Sequence, residues 1–294
     1  MKRWPKNLKN YLQSTYGEVA IIDKLAGIKD IGGCYRLKFS NNSIILKEMA
    51  EPQEYLFYTE STKFLKNTIP HIPKLLWHYE EGETYYILIE DIPTPLPPKS
   101  RQGDPAVVEV LYKLHSETWR KEEVFKGCYR PKWDISFNEA LLSQYKEKDA
   151  VKLEPILLEA QRQSQELFLP HCWINGDTNP TNWGVREDGT VVLFDWERIS
   201  CASPAIDLAI TIPGLGTPND SLETLITKRY LSKWRDSYIE FPLQELKLLK
   251  QIKLAKIWSA VEFMKDPPKR VDPKDLQDIL AKLFDKLQRL ELEM

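Results

Sequence analysis

The first apolar pattern in the chain has helical spacing. Leu8, Tyr11 and Leu12 share one face of a segment that opens on Pro5 and stops at Gly17, which predicts a helix over 5–16. The period then shortens. Runs rich in β-branched and aromatic residues at 19–25, 35–39 and Ser43–Met49 predict three strands, separated by the glycine-containing stretch 28–34 and by Ser40-Asn41-Asn42. Helical spacing returns over 53–67 through Leu56, Thr59, Lys63 and Phe64. Residues 85–90 form a further apolar strand, ended by Asp91-Ile92-Pro93 and the proline-rich 94–99. A break of that composition marks a boundary between lobes, here 1–92 and 93–294.

Past the break the spacing is mostly helical. Asp104 and Pro105 give a cap-then-proline start to a stripe of Val107, Val108, Leu111 and Leu114 that runs to Trp119. Further helices are predicted at 138–144, 155–168, 221–238, 242–264 and 273–290, the last with Leu276, Ile279, Leu280, Leu283 and Leu287 in one stripe. The stretch 173–197, WINGDTNPTNWGVREDGTVVLFDWE, breaks the pattern. Its apolar runs 183–185 and 191–194 flank Arg186-Glu187-Asp188-Gly189-Thr190, where Asp-Gly suits a primed hairpin turn. Such a hairpin carries Asn182 at its entry and Asp195 at its exit, so both oxygen-bearing side chains lie at one edge of a small sheet.

Composition narrows the function classes. The chain has 294 residues, 42% apolar and 29% charged, with a formal net charge of −2. That is a globular composition with ample material for two lobes. No Lys/Arg block stands out, which argues against nucleic acid or a membrane surface as partner. No apolar run approaches the length of a membrane span, and Met1-Lys2-Arg3-Trp4-Pro5 leads into no signal-like core. Cys34, Cys128, Cys172 and Cys201 lie far apart with no Cys-x-x-Cys pair, which fits reduced thiols in the cytoplasm.

The chemistry concentrates in 173–197. Asn182 and Asp195 are two hard-oxygen donors beside the carboxylate of Asp177, a set suited to Mg²⁺ and to accepting a proton. The run Asn175-Gly176-Asp177-Thr178-Asn179-Pro180-Thr181-Asn182 resembles the His-Gly-Asp-x-x-Pro-x-Asn motif of the aminoglycoside phosphotransferase and choline kinase superfamily. Phe194-Asp195-Trp196-Glu197 is similar to its Ile-Asp-Trp-Glu, and Ser203-Pro204-Ala205-Ile206-Asp207-Leu208-Ala209 to its Asp-Pro-x-x-Asp-Leu-Ala. One departure is Asn175, where the family carries a His that supports the loop.

The resemblance implies an α+β, two-lobed protein-kinase-like fold, with an N-terminal antiparallel sheet lobe carrying a helix and a larger, mainly helical C-terminal lobe. It implies a kinase that moves the γ-phosphate of ATP, or of GTP, to a hydroxyl of a small aminoglycoside-, choline- or sugar-like molecule. Asp177 would then accept the hydroxyl proton, while Asn182 and Asp195 hold Mg²⁺. Lys47, on the third strand, would grip the nucleotide phosphates, with Glu60 as its anionic partner and Glu54 as the fallback. The carbonyl of Glu90 and the amide of Ile92 would take the base, with the side chains of Glu90 and Asp91 solvated. Gly32 and Gly33 suit either a phosphate cover or a plain turn. Glu197 is a second-rank candidate for metal or substrate contact, and His115 reads as a packing residue. Only eleven residues separate Asp195 from Asp207, too few for a peptide-binding segment, so a small acceptor is expected. Asn175 keeps open a second reading, a silent relative that binds nucleotide without transferring phosphate.

Overall fold

Strand alternation builds the N-terminal lobe. The structure, a computed structural model, describes residues 4–25, 33–97, 100, 103–121, 123–215, 217, 219–237, 244–265, 267 and 272–293. Helix α1 (Lys6–Thr15) precedes strands β1 (Ile21–Lys24), β2 (Gly33–Lys38) and β3 (Ser43–Met49). Strands β4 (Leu75–Glu81) and β5 (Thr84–Glu90) complete an antiparallel sheet of order β1-β2-β3-β5-β4. Successive side chains point to opposite faces. Ile44 and Leu46 therefore pack with Leu37 and Leu88 against Trp4, Leu8 and Leu12, under α1. Ile45 joins the main core on the other face, and Lys47, two residues on, shares that face with it. Strand β4 was not predicted: Trp77, His78, Tyr79 and Glu80 do alternate, but none of its residues is fully buried and the strand lies at the sheet's edge.

The predicted helix over 53–67 forms only in part. Helix α2 (Gln53–Leu56) passes into a π-helical turn at Phe57–Ser61 and a 3-10 turn at Thr62–Phe64. A π turn shifts the phase of every later side chain.

The C-terminal lobe is mainly helical: α3 (Pro105–Glu117), α4 (Ile135–Leu142), α5 (Glu147–Gln163), α6 (Ala205–Ile210), α7 (Asp220–Arg235), α8 (Glu245–Lys265) and α9 (Pro273–Glu293). Asp104 caps α3 as predicted, its carboxylate accepting from the amide of Ala106 at 2.8 Å. Helix α5 begins eight residues before Pro155 and carries it inside. Among the helices lie short strands β6 (Cys172–Ile174), β7 (Trp183–Val185), β8 (Val191–Leu193) and β9 (Ser200–Ala202). Strands β7 and β8 form the predicted hairpin, and β9 pairs antiparallel with β6. The hairpin turn is not a primed one. Gly189 has φ +85° while Asp188 is not in the left-handed region, and Gly189 N donates to Arg186 O at 3.0 Å, as in a type I turn closed by a bulged glycine.

The hairpin also joins the lobes. Leu96 N donates to Trp183 O at 3.0 Å and Val185 N to Thr94 O at 2.9 Å, so the chain leaving β5 runs beside β7. A Cβ on Gly184 would come within 2.6 Å of Ile92 Cγ2, which explains a glycine there. Arg186 bonds Glu90 at 2.8 and 2.7 Å and also reaches the carbonyls of Pro70 and Ile72. The carboxylate of Glu117, on α3, accepts from the amides of Asn67 at 3.0 Å and Thr68 at 3.1 Å. Glu90 and Asp91 are thus not solvated. Asp91 pairs with Arg36 at 2.7 Å and accepts from Ser43 Oγ at 2.6 Å.

Candidate active site

Lys47 projects from the cleft side of β3 into a double ion pair. Its Nζ lies 2.8 and 2.7 Å from the two carboxylate oxygens of Glu54 and 2.9 Å from Asp195 Oδ1. Burial disfavours its charge, but the adjacent Asp195 and Glu54 carboxylates outweigh it and hold the amine well above the usual lysine range. Lys47 is therefore a fixed cation spanning the lobes. The expected partner was Glu60, and the structure corrects this to Glu54. Glu54 lies in the first turn of α2 and is buried, whereas Glu60 is exposed. Six residues of helix turn a side chain through about 240°, so a carboxylate six positions on faces away from the cleft.

Glu54 has a second task. Its Oε1 accepts from the amide of Trp196 at 3.2 Å, and Phe57 stacks on Trp196 with ring centroids 4.3 Å apart. These contacts hold the backbone after Asp195, whose φ of +65° is rare for a residue with a side chain. Strain of this kind persists where surrounding contacts over-determine it and gathers at functional sites.

The loop bearing Asp177 hangs from Asp207. The two oxygens of that fully buried carboxylate accept from the amides of Asn175 and Gly176, each at 2.9 Å. His115 Nε2 lies 3.2 Å from Asp207, and its Nδ1 lies 3.0 Å from the Tyr230 hydroxyl. His115 is thus a member of the network that carries the loop as well as a packing residue. Only the fold brings residues 115, 207 and 230 together, although Asp207 belonged to a recognisable motif.

Asn175 makes two contacts. Its Oδ1 accepts from Asp177 N at 3.0 Å, and its Nδ2 donates to Asp195 O at 3.1 Å. Asn182 Nδ2 donates to Asp177 O at 2.9 Å, and Phe194 N donates to Asn182 O at 3.0 Å. The structure therefore gathers Asp177, Asn182, Asp195 and Lys47 into one cleft. Burial, with the Asp195 charge adding to it against Arg198, pushes the Asp177 carboxyl up to about 6.

A third group beside Asp177 carries no motif by which spacing along the chain could have found it. Arg198 donates to the Tyr129 hydroxyl at 2.8 Å, pairs with Glu262 of α8 and lies 4.7 Å from the centre of the Tyr129 ring. Gly32 lies outside the described residues. A Cβ on Gly33 would meet the outer end of the Tyr35 ring at 2.2 Å, so a side chain there would displace that ring.

An antiparallel sheet lobe set over a helical lobe, with a lysine of the sheet tied to an aspartate of the lower lobe, is the protein-kinase-like architecture. The model of the phosphotransferase enzyme family matches residues 33–249, and the chain belongs to that family. It is a phosphotransferase. Among solved structures it is similar to spectinomycin phosphotransferase APH(9)-Ia in complex with ADP and spectinomycin, at 12% identity and TM-score 0.64 over 99% of both chains. Choline kinase LicA from Streptococcus pneumoniae matches at 16% identity and TM-score 0.64, over 97% of this chain and 98% of that one. A thermostable mutant of aminoglycoside phosphotransferase APH(4)-Ia matches at 13% identity and TM-score 0.59, over 95% and 98%. At these identities the likeness is one of fold.

Proposed function

We propose that this protein transfers the γ-phosphoryl group of ATP, or of GTP, to a hydroxyl of a small molecule, in the cleft between lobes 1–92 and 93–294. The observation that carries this reading is the bridge made by Asn175, which ties the backbones of Asp177 and Asp195 while Asp195 also holds Lys47. Asp177 accepts the proton of the acceptor hydroxyl at its carboxylate. Its raised affinity for protons suits a base working near neutral pH. Lys47, kept charged by Glu54, neutralises phosphate oxygens. The Glu90 carbonyl and Ile92 amide, at the end of β5, bind the base, and Gly33 lies on the strand covering the phosphates.

The donor set suits magnesium. Asn182 offers an amide oxygen at the end opposite its bonded Nδ2 and Asp195 offers a carboxylate, both hard oxygens. Two such donors leave the rest of a magnesium shell to phosphate oxygens and water. Asn182 and Asp195 would hold the ion, which would supply neutralisation of phosphate charge.

A small acceptor is supported by the path from Asp195 to α6, which pairs β9 with β6 and then enters the helix directly. No helix among the described residues is long and apolar enough to cross a membrane. The alternative, nucleotide binding without transfer, rested on Asn175, whose two bonds instead support an ordered loop. The test is transfer of labelled γ-phosphate in the presence of Mg²⁺ to a panel of aminoglycosides, choline-like amines and sugars. Turnover lost in Asp177→Asn with nucleotide binding kept supports the proposal; nucleotide binding with no transfer to any acceptor supports the silent relative.

A further inference from the structure

Arg198 lies three residues past Asp195, and the backbone just ahead of Asp177 packs against it. Gly176 has φ +79°, and a Cβ there would lie 2.5 Å from Arg198 O and 3.1 Å from Arg198 Cβ. The turn that presents Asp177 therefore rests on the Arg198 backbone with no room for a side chain between them. What fixes Arg198 comes from two distant segments. Its guanidinium donates to Tyr129, in the connection between α3 and α4, and pairs with Glu262 near the end of α8, while lying over the Tyr129 ring. Tyr129 in turn donates to Glu262, which closes a ring of three polar groups from residues 129, 198 and 262.

A largely buried ion pair of this kind is a poor source of stability, because removing both charges from water costs about as much as their attraction returns. Its geometric effect is clearer. Residues 129 and 262 belong to the helical lobe, so the ring pins residue 198, and with it the Gly176–Asp177 turn, to the helices beneath.

Resting on the reading of Asp177 as the base, we infer that Arg198 is a positioning residue: held by Tyr129 and Glu262, it sets the Gly176–Asp177 turn at the place where the acceptor hydroxyl must be met. Asp207 suspends the loop from one side through backbone amides, and Arg198 braces it from the other. The brace consists of side chains, so substitution can loosen it while the strand pairing of β6 with β9 stays in place.

The experiment uses the whole chain carrying Arg198→Met, which keeps the aliphatic stem and removes the guanidinium, and Tyr129→Phe, which keeps the ring and the Arg198–Glu262 pair and removes the two bonds of the hydroxyl. Hydrogen exchange of segment 173–178 is compared with that of 205–210, with and without millimolar guanidinium, and Mg²⁺-dependent transfer to the acceptor panel is measured on the same samples. The expected result for Arg198→Met is exchange at the Gly176 and Asp177 amides faster by about tenfold, with 205–210 unchanged. Turnover falls about a hundredfold, the cost of a misplacement of about 1 Å, while the KM for nucleotide holds. Added guanidinium restores both, and Tyr129→Phe shifts both in the same direction by less. Unchanged exchange in 173–178, or no rescue by guanidinium, overturns the inference. If Arg198→Met does not fold, Tyr129→Phe decides it through exchange. If the wild type phosphorylates no acceptor, the functional reading fails by itself, and the exchange arm still reports on the brace.

Discussion

The side-chain amide of Asn175 donates to the backbone carbonyl of Asp195 across 3.1 Å, and its oxygen accepts from the amide of Asp177 at 3.0 Å. One short side chain thus couples the loop of the proposed base to the turn of the proposed metal ligand. Replacing it by alanine removes the donor that meets the Asp195 carbonyl and the acceptor that meets the Asp177 amide, at a side chain that is fully buried. Asn175→Ala is expected to lower stability by about 1–3 kcal/mol, the cost of an unsatisfied buried polar group. Thermal unfolding followed by circular dichroism checks this; an unchanged midpoint would show that the bridge carries no load.

Two glutamates of the segment after β3, Glu54 and Glu60, make opposite predictions. Glu54→Gln takes away the charge that holds Lys47 and weakens the contact to Trp196 N, so turnover is expected to fall about a hundredfold through misplacement of both groups. Glu60→Gln, at an exposed position, is expected to stay within about twofold of wild type. Steady-state kinetics on the pair distinguishes them, and a larger loss at Glu60 would reverse the assignment.

Asp177 gives a pH dependence in rate and in stability. Its carboxyl, pushed up to about 6, must be ionised to accept a proton, so kcat/KM is expected to fall as pH drops below that value. The folded value lies above the unfolded one, so the stabilisation from its neutral form is complete below about pH 4 and lost as pH rises through about 6. At pH 7, Asp177→Asn is therefore expected to be more stable than wild type, by about 3 kcal/mol. Denaturant midpoints at pH 4 and pH 7 test the sign: the gain should vanish at the lower pH.

His71 makes a second pH-sensitive contact at the back of the cleft. Its Nδ1 meets the carbonyl of Val191 at 2.8 Å and its Nε2 meets Lys113 Nζ at 3.0 Å, which fits a neutral ring donating at Nδ1 and accepting at Nε2. Burial lowers its proton affinity, with Lys113 and Arg186 adding to the effect against the Val191 carbonyl. Since the folded value lies below the unfolded one, the contribution of His71 is present above about pH 6.5 and lost as pH falls through the lowered value. Nitrogen-15 NMR of the ring should report the neutral Nδ1–H tautomer at pH 7. His71→Gln should flatten the acid limb of stability.

Much of this was legible in the chain because periodicity and short-range motifs are local. The strand bearing Lys47, the hairpin between Asn182 and Asp195 and the cap at Asp104 all follow from residues a few positions apart. What escaped is set by phase or by distance. Glu60 was preferred over Glu54 because a motif register ignores the angle at which a helix presents each residue, and the π turn at Phe57–Ser61 altered that angle further. Tyr129, Arg198 and Glu262 meet only because α8 returns past the connection before α4, and no spacing encodes that meeting. Asp188-Gly189 suggested a primed turn, but a five-residue connection between β7 and β8 places only Gly189 in the left-handed region.

The ties of Arg186 to Glu90, Pro70 and Ile72, and of Glu117 to the amides of Asn67 and Thr68, all lie at the rear of the cleft. They resist separation of the lobes at the rear, while the front is crossed by the contact of Lys47 with Asp195. The lobes are thus tied by several bonds at the rear and by the Lys47–Asp195 contact at the front, so the strength of the front tie is set by one lysine and its carboxylates.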